Sequence, residues 1–222
     1  MIEEILPAGV ASAESFYDPP HVPLFPEEQA VIGAAAEKRR REFATGRGCA
    51  RRALAALGLP PAPILRGDRG APGWPPGIVG SITHCAGYRA AAAARSQDAL
   101  AVGLDAEPDL PLPDRVLDAV SLPAERAMLR DLAAAAPGTS WDRLLFSAKE
   151  SVYKAWFPLT GRWLGFPDAE VTVSPADGTF TARLLVTGAT AGGCPVDGFA
   201  GRWLARDGLL LTAVTVPGPA AQ

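Results

Sequence analysis

Between residues 141 and 158 the chain carries a pattern that a helix satisfies and a strand does not. Trp141, Leu144, Leu145, Val152 and Trp156 recur at helical intervals, so they share one face and need a core to cover it. Thr139 or Ser140 is suited to the N-cap and Asp142 to the first turn, and Pro158 is expected to stop the run. Inside it lies Phe146-Ser147-Ala148-Lys149-Glu150-Ser151-Val152-Tyr153-Lys154-Ala155-Trp156. Glu150 and Lys154 are four apart and share a helix face, with Lys149 beside them. Of 21 basic residues only Lys38, Lys149 and Lys154 are lysines, so two of the three flank one glutamate. A lysine ammonium is a compact point charge and an arginine a planar fork, and the two do not exchange freely at a phosphate or proton-transfer site. The plainer alternative is a Glu–Lys pair on a solvated helix, worth a few tenths of a kcal/mol.

The 222 residues suffice for one large domain or two small lobes sharing a core. No apolar run approaches the ~20 residues of a membrane span, and the acidic start Met1-Ile2-Glu3-Glu4-Ile5 lacks the basic region of a signal peptide. Cys49, Cys85 and Cys194 are odd in number and widely spread, which suits neither a disulfide framework nor a zinc site and points to a reducing cytoplasm. The net charge of −3 argues against a general nucleic-acid binder.

In chain order, residues 1–26 are proline-rich and read as an irregular or short-stranded lead-in, with His21 a structural or surface histidine. Residues 27–57 read as helical with a break near Thr45-Gly46, ended by Gly58 and Pro60-Pro61. This region holds Lys38, Arg39, Arg40, Arg41, Arg47, Arg51 and Arg52. A solvated face, a nucleic-acid patch and a polyphosphate site all fit such a cluster. The segment 63–75 is a Gly- and Pro-rich loop that holds Arg66 and Arg69 around a tight Gly67-Asp68 turn. Ile78 to Cys85 reads as a strand with Ser81 and Thr83 on one face and His84 at its exit. Tyr88–Ala94 and Ala99–Leu104 read as buried strands. The second runs into Asp105-Ala106-Glu107, whose carboxylates, two residues apart, aim at one spot. Such a pair repels itself unless a cation neutralises it, and a hard ion such as Mg²⁺ takes one or two carboxylates plus phosphates and water. Prolines make 108–124 a connection, and a helix starts at Ser121-Leu122-Pro123-Ala124-Glu125 and runs to about Ala136. After the loop Gly161-Arg162-Trp163-Leu164-Gly165-Phe166, strands are expected at 169–174, 179–187, 199–206 and 209–216, with hairpin turns at Asp177-Gly178 and Asp207-Gly208 and a disordered end from Pro217.

Three acids, two lysines and several arginines suit chemistry on a phosphoanhydride with Mg²⁺. Neither a P-loop nor a Rossmann fingerprint is present to bind the phosphates. The pair Val102-Gly103-Leu104-Asp105-Ala106-Glu107 and Phe146-Ser147-Ala148-Lys149-Glu150-Ser151-Val152-Tyr153-Lys154 resembles the signature of 4′-phosphopantetheinyl transferases. Gly80-Ser81-Ile82-Thr83-His84-Cys85, the Arg66-Gly67-Asp68-Arg69 loop and Trp163-Leu164-Gly165-Phe166 resemble the monomeric bacterial, enterobactin-synthetase-component branch found also in actinobacteria. The similarity spans roughly residues 35–167, with lysine common in relatives where Arg66 and Arg69 stand.

The resemblance implies an α/β (α+β) fold: a pseudo-twofold pair of similar lobes, here 1–106 and 107–222, with the active site in the cleft between them. It implies transfer of phosphopantetheine from coenzyme A to a serine of an apo acyl or peptidyl carrier protein, with release of 3′,5′-ADP, by a cytoplasmic monomer that binds no nucleic acid or membrane. Asp105, Glu107 and Glu150 would hold Mg²⁺, or Mn²⁺ in its place. Glu107, or a water it orients, would be the base. Lys154 would neutralise the departing phosphate and Lys149 the pyrophosphate. Arg39, Arg47, Arg66, Arg69, Ser81, Thr83, His84 and Leu164 would complete the coenzyme A site. A Mg²⁺-dependent pyrophosphate hydrolase and a non-catalytic coenzyme A or nucleic-acid binding module are the rival readings.

Overall fold

The computed structural model describes residues 1–191 and 194–218. A short 3-10 turn, Ile2–Ile5, leads into β1 (Ala11–Ser15) and the helices α1 (Pro26–Ile32) and α2 (Glu37–Ala56). The two-residue strands β2 (Leu65–Arg66) and β3 (Pro72–Gly73) pair around a 3-10 turn at Asp68–Gly70. Then come β4 (Ile78–Cys85), β5 (Tyr88–Arg95) and β6 (Ala99–Pro108), followed by α3 (Val116–Val120), α4 (Pro123–Ala135) and α5 (Trp141–Thr160). The rest is β7 (Ala169–Ser174), β8 (Thr179–Leu184), the small pair β9 (Thr190–Ala191) and β10 (Cys194–Pro195), β11 (Gly198–Arg206) and β12 (Leu209–Pro217).

Two antiparallel sheets organise the mixed α/β fold, one in the order β1-β5-β4 and one in the order β6-β12-β11-β8-β7. Strand β5 is alanine from 90 to 94, and its alternation sorts it between two layers. Ala91 and Ala93 pack on Cys49, Ala50, Ala53 and Leu54 of α2, while Tyr88, Ala90, Ala92 and Ala94 join Val102, Leu104, Leu211 and Ala213 of the larger sheet. The apolar face of α5, with Leu144, Leu145, Ala148, Val152, Ala155 and Trp156, covers the other side of that sheet against Val171, Val173, Phe180, Leu210 and Val214. Helix α5 and β6 touch backbone to backbone: a Cβ at Gly103 would stand 2.0 Å from the Ser151 carbonyl oxygen.

Several expectations change. The helical region 27–57 breaks at Gly33–Ala36, not at Thr45-Gly46. Gly46 lies inside α2, where its missing side chain admits Ile82 of β4 to 3.2 Å from the Cβ position. Pro158 does not stop α5, because a proline this near the C-terminus forfeits only one helical hydrogen bond, that to the Lys154 carbonyl. Gly161 ends the helix instead, at φ +64 with its N–H on the Phe157 carbonyl. Ser140 is the N-cap residue, but its side chain makes no cap hydrogen bond; its N–H donates to Asp109 Oδ1. The connection 108–124 contains the short helix α3. Strand β8 ends at Leu184 rather than 187, because its partner β7 begins opposite it at Ala169. Strand β6 does run through Asp105 and Glu107 to Pro108, as their two-residue spacing required, with its last residues paired with β12. The expected lobe boundary after residue 106 falls inside this same strand. Pro217 closes β12. Residues 219–222, expected to be disordered, lie outside the described residues, as does the side chain of Cys194.

Candidate active site

The site forms where β6 crosses α5. Asp105 and Glu107 are on β6, and Arg143, Ser147, Glu150 and Lys154 follow one face of α5 at helical spacing. Lys154 Nζ donates to Asp105 Oδ1 at 2.6 Å, and Ser147 Oγ donates to Asp105 Oδ2 at 2.8 Å. Thr212, opposite Asp105 in the ladder, donates its hydroxyl to the Ser147 carbonyl at 2.9 Å and tightens that corner. Arg143 donates to Glu107 Oε2 at 2.8 Å and to the carbonyls of Leu110 and Pro111, which fixes the chain leaving β6.

The acids crowd one another. Burial, opposed by the Arg143 hydrogen bond and aided by the charge of Asp105, holds the Glu107 carboxyl above the usual range. Burial also raises Glu150, with Lys154 opposing and Asp105 and Glu107 adding to the shift. The thiol of Cys85, at the end of β4, is pushed up to about 12 by burial and by the charges of Glu107 and Asp105. This donor set, three carboxylates short of positive charge, suits a hard divalent cation. Among the described residues no group of three or more His, Cys, Asp or Glu stands close enough to hold a metal ion, so the three acids do not form a closed ligand set. An ion here would draw part of its shell from phosphate and water.

A cleft of about 400 Å³ opens over this corner, lined by Glu150, Tyr153 and Lys154 of α5, Ser81 of β4, and Arg69 and Trp74 from the hairpin side. Arg69 adopts a left-handed backbone at φ +51 and sets its guanidinium 5.1 Å from the centroid of the Trp163 ring. Beyond Tyr153 lies a smaller pocket of about 180 Å³ walled by Lys149, Glu150, Trp163, Leu164 and Phe166.

The basic stretch on α2 divides. Arg39 is the member that reaches the site region: its Nη1 lies 2.7 Å from His84 Nε2. Arg40 and Arg41 pair with Glu37 on the surface. Arg51 reaches Glu28 and the Pro23 carbonyl, and the exposed Arg52 reaches the Glu14 carbonyl. Arg47 is buried, with Nε on the Ile64 carbonyl at 2.6 Å. Burial brings it down to about 10, and the charges of Arg66, Arg51 and Arg39 add to that fall. The charge of Glu28 opposes these three arginines at Arg47.

Three expected contacts are placed differently. Lys149 is buried, 4% exposed, and its ammonium donates to Glu125 and to the Phe166 carbonyl at 2.8 Å each, away from the cleft. The reason is helical: position 149 points about 100° from position 150. Ser81 lines the cleft, but its hydroxyl accepts the buried N–H of Leu104 at 3.0 Å. Thr83 is buried on β4 beside it. Sequence reasoning missed Arg143, Ser147, Thr212 and Glu125. Arg143 was within reach, since 143, 150 and 154 fall on one helical stripe.

Comparison with known proteins decides the family. Residues 27–94 match the 4′-phosphopantetheinyl transferase N-terminal domain and residues 101–192 the 4′-phosphopantetheinyl transferase superfamily. The chain belongs to the 4′-phosphopantetheinyl transferase family. It is 58% identical to the 4′-phosphopantetheinyl transferase Svp of Streptomyces mobaraensis, over 99% of this chain and 91% of that protein. It is 52% identical to the 4′-phosphopantetheinyl transferase PptT of Mycobacterium tuberculosis, over 97% of this chain and 98% of that one. Enterobactin synthase component D of Salmonella typhi is more distant, 34% identical over 72% of this chain and 65% of that protein. The transferase assignment covers both the arginine-bearing half and the acid-bearing half. Among the described residues no helix is long and apolar enough to cross a membrane.

Proposed function

We propose that this enzyme transfers 4′-phosphopantetheine from coenzyme A to the serine hydroxyl of apo acyl or peptidyl carrier proteins and releases 3′,5′-ADP. The observation that carries the reading is the Lys154–Asp105 contact of 2.6 Å at the edge of a cleft that Glu150 and Arg69 also line. An anion entering this cleft meets Lys154 and Arg69, with the Arg39, Arg47 and Arg66 cluster supplying further positive charge for the nucleotide phosphates. Among the described residues the three acids do not stand close enough to cage an ion by themselves. A divalent cation, Mg²⁺ or Mn²⁺ in its place, would take oxygens from Asp105, Glu107 or Glu150 together with phosphate and water, and would withdraw charge from the pyrophosphate when bound.

The serine oxygen forms its bond to the β-phosphorus as the bond to the bridging oxygen breaks, and 3′,5′-ADP departs on that oxygen. Glu107 takes the serine proton directly or through one water. Its carboxyl is more basic than an exposed glutamate because burial and Asp105 disfavour its charge. Arg143 holds Oε2, so Oε1 is the oxygen left to face the ion or to orient the water that takes the proton. Lys154 faces the negative charge that grows on the leaving phosphate, where a fixed donor is worth roughly 10²–10³ in rate. We place the division between the two lobes at residues 95–100, where the family matches part, and infer a cytoplasmic monomer that uses neither nucleic acid nor membrane.

The test is intact-mass spectrometry of an apo carrier protein incubated with the enzyme, coenzyme A and Mg²⁺. We expect a gain of one phosphopantetheine per carrier, lost with chelator and reduced at least a hundredfold by Glu150→Gln. Release of 3′,5′-ADP in the absence of carrier, with no mass gain, would make the protein a pyrophosphate hydrolase instead.

A further inference from the structure

Two buried glutamates hold equivalent places in the two halves of the chain. Each stands third in a helix that opens with proline, in Phe25-Pro26-Glu27-Glu28 of α1 and Leu122-Pro123-Ala124-Glu125 of α4. Each accepts the N–H of the residue before its proline, Phe25 at 3.0 Å and Leu122 at 2.7 Å. Each also accepts a buried N–H from a later segment, Ile64 at 2.9 Å and Val171 at 2.7 Å. Each is paired with a cation on the long helix that follows, Arg51 of α2 at 2.9 Å and Lys149 of α5 at 2.8 Å, at separations of 23 and 24 residues. Glu28 is 0% and Glu125 1% exposed.

The two devices differ in one respect. Arg51 spends its second nitrogen on the Pro23 carbonyl, in the lead-in to α1. Lys149 spends its spare proton on the Phe166 carbonyl, in the segment that walls the 180 Å³ pocket beside the cleft. That segment has its own internal tie, Gly165 N–H to Asp168 Oδ2 at 2.7 Å, so it moves as a unit with whatever holds Phe166. It also carries Trp163, which packs edge-on against Tyr153 and under Arg69.

We propose that Glu125 is a positioning residue for coenzyme A binding: acting through Lys149, it fixes the 163–166 wall of the pocket that adjoins the pyrophosphate cleft. Glu28 and Arg51 are the counterpart of this pair in the other half, tied to Pro23 and Ile64 and not to the 163–166 wall. The inference rests on the transferase reading of the cleft.

The counterpart supplies the control. Glu125→Gln and Glu28→Gln remove the same charge from the same kind of buried corner, so both lower stability. Only Glu125→Gln should release the wall. We expect it to raise KM for coenzyme A about tenfold while kcat changes less than about threefold, and to speed hydrogen exchange of the 163–168 amides. Glu28→Gln, whose partners lie beside Arg47 and Ile64, should leave the 163–168 amides unchanged. Should Glu125→Gln fail to fold, Lys149→Met, which removes the donor to Phe166 and leaves Glu125 its two backbone partners, should give the same KM rise. Equally faster exchange of the 163–168 amides in the Glu125 and Glu28 variants, or an unchanged KM with protected 163–168 amides in Lys149→Met, would overturn the proposal. Failure of the wild-type enzyme to load any carrier would instead overturn the transferase reading, and the exchange comparison would still decide whether Glu125 holds the wall.

Discussion

At the scale of single residues, His84 shows how a side chain's partner decides its chemistry. A guanidinium can only donate, so the 2.7 Å contact with Arg39 makes His84 Nε2 an acceptor and places any ring proton on Nδ1. His84 is exposed at the end of β4, and partial desolvation by its neighbours first, with the charge of Arg39 second, pushes the imidazole below its usual range. The unfolded chain takes up this proton near pH 6.5, and the folded chain does so only at lower pH. Between those two values the unfolded state binds more protons, so stability falls as pH drops through 6.5 and levels off below the folded value. NMR titration of His84 is expected to give a midpoint under 6.5, and Arg39→Ala to move it upward. An unmoved midpoint would assign the whole shift to desolvation. His84→Gln should flatten the acid limb of the stability profile.

At the scale of elements, the crossing of β6 and α5 is what turns scattered acids and a lysine into a site. Nothing but hydrogen fits between Gly103 and the Ser151 carbonyl, so Gly103→Ala must drive α5 off the sheet. We expect at least ~3 kcal/mol of destabilisation in urea titration, together with loss of carrier loading. The elements themselves were largely legible. The apolar stripe of α5, the polar end of β4 and the paired strands after residue 169 follow from local periodicity. What misled was punctuation. Pro158 costs one bond near a helix end and Gly46 serves a close approach, so neither breaks a helix. The reach of β6 to Pro108 depends on β12, a partner about a hundred residues away that no local pattern reveals.

At the scale of the whole molecule, the cleft joins the arginine-bearing half to the acid-bearing half. Composition pointed to cations and acids working together, and the motifs fell on β4, β6, α5 and the Arg66–Arg69 turn. Which cation faces which way was not legible. Lys149 looked equivalent to Lys154 until Glu125, 24 residues earlier, was seen to claim it, and Arg47 was half spent on Ile64. Such partners are set by packing between distant segments. Arg69, by contrast, lines the cleft with a charge available to phosphate. Arg69→Ala is expected to weaken coenzyme A binding about tenfold by calorimetry, in keeping with the loss of one charge-assisted contact, and to make binding less sensitive to salt. Undiminished affinity would place the pyrophosphate elsewhere. The same arginine rests over Trp163, the most exposed of the large aromatic rings on that loop at 60%. An anion that draws Arg69 off the indole would alter the emission of that tryptophan, so the enzyme carries its own optical reporter of occupancy, suited to screening inhibitors without a label.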